Sequence, residues 1–562
     1  MTEVCRVVPD VTAVDRAFDY RLDQDLPIGT IVRVALQGRR VRGWVVERGV
    51  DPDGREVHPV LGAVSAGPPP DVVALSAWVA RRWAGPRVAV LRSASAPNNV
   101  PVAAAPRPVP GGLSPGARST VVRIPPLVDR LGFAEEACAD AGSTVLCVAD
   151  AGRARILAER LGRAGRRVAL LHSTASDAER TAAWRRAAVG GCVVVGGRLA
   201  ALAPVPDLAA VVVFDDADEA LQEERAPTWH ARDVLRERAK RVGVPFTVCS
   251  PAPTVDAVVA AGGVVSAPSP AVERGGWPRV SVVDRGAEPP GAGLLTESLA
   301  DAVRAAAGPA VCVLNRRGRF RLLVCPVEGH LIRWDPSADR PLVCPECGAP
   351  RPRLIRAGVT RLREELAALL PGRRVVDVDA DTDAVAGADV YIGTEAVLHR
   401  SAVRRARPAL VAYLDLDGEL LAPRYRAAAQ AHWLVTRGAQ LLAGRSRSET
   451  LLLLQTRIPD HVVVRAVAEG DPALVAAAEA ETRRILGYPP FGALAELQGD
   501  DEPIAVAVAA ASGLGLRVFG PDGGRALVHA ADWEALGDAL GPAVAAGRAV
   551  GRVRAAVDPP RV

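Results

Sequence analysis

Lysine is almost missing from this 562-residue chain: of its 69 basic residues one is a lysine, Lys240, and 68 are arginines. A phosphate-binding loop of the GxxxxGK[ST] type needs a lysine that reaches the β- and γ-phosphates. Lys240 lies in RERAKRVGV, a charged helical stretch with no glycine loop ahead of it. A working loop of that kind is excluded. Long apolar runs are missing as well, since none approaches the ~20 uncharged residues that cross a bilayer. The opening residues, MTEVCRVVPDVTAVDRAFDY, carry charges where a signal peptide needs an apolar centre. We therefore expect no membrane association and a cytoplasmic location. The nine cysteines then read as thiols or metal ligands rather than disulfides.

What is present is globular in kind. Apolar residues make up 49% and charged residues 24%, too apolar for a disordered chain, and the length calls for roughly three to five domains. The arginines accompany abundant alanine, glycine and valine, so their number alone says nothing about phosphate binding. RAFDYRL, TIVRVAL and RVRGWVVE read as strands of a small β-domain, followed by a helix over DVVALSAWVARRWAG. NNVPVAAAPRPVPGGLSPGAR has no periodicity and reads as a linker. Continuous apolar strands (STVLCVA, RVALLHS, GCVVVGG, LAAVVVFDD, PFTVCSP) then alternate with amphipathic helices. That pattern predicts a parallel sheet covered on both faces. It stops near APSPAVERGGWP and resumes with AVCVLNRRG, RRVVDVDA, ADVYIGT, ALVAYLDLDG and ETLLLLQT.

The expected architecture is multidomain α/β: a small β-domain (1–99), a linker (100–117) and a first α/β lobe (118–270). A second lobe (271–324 and 349–470) is interrupted by a cysteine-bearing insertion (325–348), and an α+β domain closes the chain (471–562).

Three constellations carry chemistry. Asp215, Asp216, Ala217 and Asp218 follow the apolar strand LAAVVVF, at the strand edge where open α/β sheets bind ligands. A carboxylate there can hold Mg²⁺ against a nucleotide's phosphates, or it can cap the next helix. Cys325, His330, Cys344 and Cys347 read C-x₄-H-x₁₃-C-x₂-C, enough for one closed tetrahedral zinc site. Glu328 is a second choice for the fourth ligand, and a metal-free loop is the alternative. Phe18, Asp19 and Tyr20 lie on a predicted strand with the two aromatics on one face. Aromatics stack on unpaired bases and a carboxylate accepts from a base edge or sugar hydroxyl, although a plain core strand would show the same pattern. Arg316 and Arg317 follow a strand and are candidates for phosphate contacts. The other six cysteines fall in apolar stretches and read as core.

The ordered set of motifs resembles the PriA replication-restart family of superfamily 2 DNA translocases. VVVFDDADEALQEERAPTWHARDVLRERA resembles the region of its DEEH box, CSPAPT its GSATP motif, and VCVLNRRGRF its NRRGY segment. YIGTEAVLHR resembles its GTQM motif, LDLDGELLAPRYRAA its LDAD–DFRA segment, and LGYPPFGALAEL the start of its C-terminal domain. DRAFDYRL, IGTIVRVAL and RRVRGWVVE resemble its domain for DNA 3′ ends.

The resemblance implies two RecA-like helicase lobes with a zinc-binding insertion in the second, and a pocket at Phe18, Asp19 and Tyr20 that receives a 3′ end. It also implies nucleoid association, branched or forked DNA with a 3′ end as partner, and primosome and replisome proteins.

The departures are as informative. RSTVVRIPPLVDRLGF stands where the family has GxTGSGKT, Asp216 takes the place of the box's water-polarising glutamate, and Asp218 takes that of its histidine. Near motif VI only Ala443-Gly444-Arg445 fits without gaps. The family carries eight cysteines and two zinc ions in the insertion, against one site's worth here. There is also too little chain after the N-terminal domain for the family's winged-helix domain.

Phosphoryl transfer depends on positioning and on neutralising the phosphates, so these losses argue against ATP binding and against catalysis. The expected function is a DNA-binding replication-restart protein that recognises abandoned forks and nucleates primosome assembly. The alternatives are an active 3′–5′ helicase with an unorthodox loop, and a zinc-ribbon nucleic-acid scaffold outside replication.

Overall fold

Strands buried on both faces need helices above and below them, and the middle of the chain is built that way. The computed structural model describes residues 3–12, 14–53, 56–102, 118–286, 293–314, 321–334, 341–355, 359–378 and 387–562. It divides into two compact units, one of Met1–Arg123, Arg130–Ala267 and Glu479–Val562, the other of Ile124–Asp129 and Pro268–Ala478.

In the first unit an antiparallel sheet has the order Phe18–Leu22, Glu3–Pro9, Arg39–Arg48, Ile31–Leu36, Gly62–Ser65. One face closes on Cys5, Val7, Tyr20, Val32, Val34 and Val45. The other packs Ile31 and Trp44 against Val73, Val88 and Leu91 of the helices Pro70–Arg82 and Arg87–Ala94.

The first RecA-like lobe is a seven-stranded sheet in the order Val265–Ser266, Ser119–Arg123, Phe246–Ser250, Leu208–Phe214, Ser143–Val148, Val193–Gly196, Val168–Leu171. All its pairings are parallel. The central strand Leu208–Phe214 is an apolar run with three consecutive valines that ends where Asp215 takes a φ of 55°, a left-handed turn that an aspartate tolerates. Helix Ala231–Val242 starts at His230, whose Nδ1 accepts from Arg232 N (3.2 Å), and stops at Gly243 in the left-handed region. His230 is thus a helix cap. Lys240 is exposed in the last turn of this helix.

A four-stranded antiparallel sheet, Arg517–Asp522, Arg525–Ala530, Ala493–Gly499, Val553–Val557, carries the helices Asp501–Gly513 and Trp533–Val550. One apolar cluster runs through this sheet, the first lobe and the helix Pro70–Arg82. Arg82 lies over the rings of Trp83 (4.8 Å) and Trp533 (4.6 Å), and Arg81 pairs with Asp538.

The second unit holds the second RecA-like lobe, a six-stranded parallel sheet in the order Arg279–Asp284, Leu451–Thr456, Leu410–Tyr413, Ala310–Val313, Val390–Gly393, Val375–Val378. Leaving it is a small antiparallel sheet of Leu331–Trp334, Arg321–Val324 and Arg353–Ile355, which carries the cysteine turns. No helix among the described residues is long and apolar enough to cross a membrane.

Candidate functional site

Strand Phe18–Leu22 is an edge strand, paired with Glu3–Pro9 on one side. On its other side only a short stretch follows it: Arg21 N–H donates to His58 O and Val60 N–H donates to Arg21 O, each at 2.9 Å. Where this cover ends the structure leaves a pocket of about 490 Å³, lined by Arg16, Phe18, Asp19, Tyr20, Gln37 and His58 among others. Of the five residues expected to meet DNA, Phe18, Asp19 and Tyr20 line this pocket.

Tyr20 is 3% exposed and its hydroxyl donates to Ala35 O (2.8 Å), so it shapes the wall as a core residue. Phe18 is half-buried, with the Arg16 guanidinium over its ring at 4.7 Å. Arg6 Nε donates to Asp19 Oδ1 (2.9 Å), and its Nη1 donates to Glu47 (3.0 Å). Asp19 Oδ2 accepts no hydrogen bond from the described residues, so one oxygen of an oriented carboxylate is left for a ligand. Arg6, Arg16 and His58 escape the sequence reading. For Arg6 a signal exists, because it stands directly opposite Asp19 across the strand pair.

The cysteine insertion is two copies of one turn. Cys325 N–H donates to His330 O and Gly329 N–H to Cys325 O; likewise Cys344 N–H donates to Ala349 O and Gly348 N–H to Cys344 O. Gly329 and Gly348 have φ of 72° and 70°, where a side chain would be strained. The turns bring Cys325 Sγ to 3.4 Å from Cys347 Sγ, and Cys344 Sγ to 3.6 Å from His330 Nδ1. All four ligand atoms lie within 4.8 Å of one another. Together they could hold one metal ion.

Backbone N–H groups lower the Cys325 thiol, chiefly that of Glu328. Cys344 is lowered to about 6: burial raises it, but the N–H groups of Cys347 and Glu346 and the His330 ring outweigh that. Cys347 gains from the Ala349 N–H, yet its neighbours Cys325 and Cys344 push it up to about 11. Three thiols this close resist losing all their protons unless a cation joins them. Glu328 stands in the first turn where Cys347 stands in the second. Its carboxylate lies 3.4 Å from His330 Nε2, with Glu346 at 3.5 Å. That is the position of a group that orients a metal-binding histidine through its other nitrogen.

The acidic cluster sits at the carboxyl end of Leu208–Phe214, as expected, but its members go separate ways. Asp215 is held by Arg130 (2.5 Å) and Arg153 (3.4 Å). Asp216 is buried against Thr254 Oγ1 and lies 3.5 Å from Arg232. Burial pushes its carboxyl up, against the pull of Arg232. Asp218 Oδ1 accepts from Ala220 N (3.0 Å) and caps the turn Glu219–Leu221. Ala217 offers no functional group. Arg232 is further paired with Asp233 and Asp256, and Arg483 with Asp256 and Glu479. The arginine partners of these acids are not legible in a chain so rich in arginine. Arg316 and Arg317 lie outside the described residues.

Comparison with known proteins bears on the N-terminal pocket directly. The PriA family model "3'DNA-binding domain (3'BD)" matches residues 6–96. "Replication restart protein PriA" of Treponema pallidum (strain Nichols) is 30% identical over 379 residues, covering 60% of this chain and 56% of its own. "Probable replication restart protein PriA" of Mycobacterium tuberculosis (strain ATCC 25618 / H37Rv) is 29% identical over 573 residues, 87% of this chain and 85% of its own. The chain is similar to PriA proteins over most of its length. The chain spans about half the length of the first relatives it matches, 56% of the Treponema protein and 48% of the PriA of Bacillus subtilis (strain 168). Among solved structures, RecG bound to a three-way DNA junction aligns with 65% of this chain and 44% of its own, at 14% identity and a TM-score of 0.36. The pocket, the metal cluster and the acidic edge stand on three different modules of this chain.

Proposed function

We propose that this chain is a replication-restart protein that recognises branched DNA by a free 3′ end and nucleates primosome assembly at abandoned forks, without unwinding DNA itself. The observation that carries this reading is the coincidence of the matched 3′DNA-binding domain with the pocket lined by Phe18, Asp19 and Tyr20. Phe18, under the Arg16 guanidinium, offers a stacking surface to a terminal base. Asp19, oriented by Arg6, accepts from the 3′ hydroxyl through Oδ2 and repels a 3′ phosphate.

The first lobe supports a non-motor role. A carboxylate that serves Mg²⁺ must be free to meet it, whereas Asp215 already has two guanidinium partners and Asp216 is buried against Thr254. The metal of the insertion is zinc on this reading, held by Cys325, Cys344, Cys347 and His330, which suit its preference for sulfur and nitrogen. Such an ion cross-links the two turns and adds to folding directly.

The test is fork binding by the purified protein. Forks whose leading strand ends in a 3′ hydroxyl should bind tighter than the same forks ending in a 3′ phosphate. Equal affinities would leave Phe18–Leu22 as no more than an edge strand and overturn the proposal.

A further inference from the structure

The arginines of the N-terminal sheet are not treated alike. Arg6 pairs with Asp19 and Glu47, Arg21 with Asp23, and Arg48 with Glu3 and Asp25. Arg33, Arg39, Arg40 and Arg42, all on the hairpin formed by Ile31–Leu36 and Arg39–Arg48, are exposed and have no ion pair or hydrogen bond from their side chains among the described residues. Arg33 and Arg42 stand directly opposite each other across the two strands. On its other side Arg33 faces Gly62, which has no side chain to screen it. Arg40 lies two residues from Arg42 on the same face, opposite Ala35. Asp10, whose backbone N–H donates to Arg42 O, has its carboxylate paired with Arg92.

Like charges set directly opposite one another destabilise a sheet, so a row of three held without a counter-charge is a place for an external anion. The row also has a direction. Ala35, Leu36 and Gln37 line the end pocket, so the charges run from the mouth of that pocket along the sheet, Arg40 to Arg42 being ~7 Å apart at strand spacing.

We propose that Arg33, Arg40 and Arg42 form a phosphate track for the DNA strand whose 3′ end occupies the pocket, so that the domain reads an end and grips the sugar–phosphate backbone leading to it. This rests on the end-pocket reading and extends it from one terminal group to a stretch of backbone. The contact is ionic and independent of sequence.

The experiment measures fork affinity against salt for the full chain. Each phosphate neutralised adds about 0.9 to the slope of log affinity against log salt. Replacing all three residues (Arg33→Gln, Arg40→Gln, Arg42→Gln) should lower the slope by about 2.7. Between about 50 and about 200 mM salt the wild type should then lose affinity by about 40-fold more than the variant. The ratio of 3′-hydroxyl to 3′-phosphate binding should stay as in the wild type. A control with the same charge loss at exposed positions elsewhere (Arg163→Gln, Arg185→Gln, Arg552→Gln) should leave the slope unchanged. If the triple variant does not fold, Arg42→Gln alone should lower the slope by about 0.9.

An unchanged slope in a folded variant, or an equal fall in the control, overturns the track while the hydroxyl preference still supports the pocket. A wild type that ignores the terminal group overturns the pocket reading, and that arm is read independently of salt.

Discussion

Arg130 Nη1 lies 2.5 Å from Asp215 Oδ1, at the edge of the first lobe where a nucleotide's cation would otherwise meet a carboxylate. Arg153 approaches the other oxygen at 3.4 Å, and the three side chains are 14%, 20% and 8% exposed. Little solvent screens this cluster. Asp215 therefore ties two arginines of the lobe together.

Replacing Asp215 with alanine should then destabilise the protein. Removing one partner of a buried ion pair leaves uncompensated charge, at a cost of ~3–5 kcal/mol. Chemical denaturation should show this as a lower midpoint with an unchanged slope. In an ATPase the same change would abolish turnover; here DNA-stimulated hydrolysis should be absent from wild type and variant alike. A stable variant, or wild-type turnover on the order of 1–100 s⁻¹ lost in Asp215→Ala, would contradict this.

Metal analysis after exhaustive dialysis should find close to one zinc per chain. Cys344→Ser and His330→Ala should each lose it. Glu328→Ala should retain zinc but bind it ~10–100-fold more weakly, because Glu328 touches the histidine rather than standing in for a ligand. If Glu328→Ala empties the site and His330→Ala does not, the fourth ligand is the glutamate.

His432 predicts a pH dependence. It is buried in the second lobe, stacked on Trp277 at 6.3 Å, and burial lowers its pKa to about 4. Its Nε2 has no hydrogen-bond partner among the described residues. The unfolded chain takes up the proton near pH 6.5 and the folded chain only near pH 4. Unfolding therefore binds protons in that window, and stability, complete above about pH 6.5, falls as the pH drops toward about 4. At ~1.4 kcal/mol per unit the loss is about 3 kcal/mol. Urea titrations at several pH values should show a shallower acid loss for His432→Leu than for the wild type.

Asp19→Ala should erase the preference for a 3′ hydroxyl, a difference of ~1–3 kcal/mol from losing a charged hydrogen bond and the repulsion of a phosphate. The fold should survive, because Arg6 keeps Glu47. Competition between hydroxyl- and phosphate-ended forks measures the effect, and a variant that still discriminates would move the recognition elsewhere in the pocket.

The strands of both lobes could be read because residues buried on both faces leave an uninterrupted apolar run, as in Leu208–Phe214 and Leu451–Thr456. Ser119–Arg123 and Arg279–Asp284 escape that reading. Arg279–Asp284 is an outer strand with no fully buried residue, and Ser119–Arg123 buries only Val121 and is flanked outward by a two-residue strand. The metal ligands could be read from spacing, since both turns are local. His330 could be preferred over Glu328 from spacing alone, whereas the approach of the Glu328 carboxylate to His330 Nε2 exists only in the folded turns.

By itself the sequence determined what is local or absent: the missing phosphate loop, the single lysine, the alternation of strand and helix, the two cysteine turns and the strand that carries Phe18, Asp19 and Tyr20. Each depends on residues a few positions apart, where backbone geometry settles the outcome. Only the tertiary structure decided the use of charge. Arg130 reaches Asp215 across 85 positions, Arg6 orients Asp19 across a strand pair, and Arg33 meets Arg42 rather than an acid. In a chain with 68 arginines composition cannot tell a paired guanidinium from a free one. An ion pair is a relation between surfaces brought together by burial of the apolar core, and it exists only after the chain has folded.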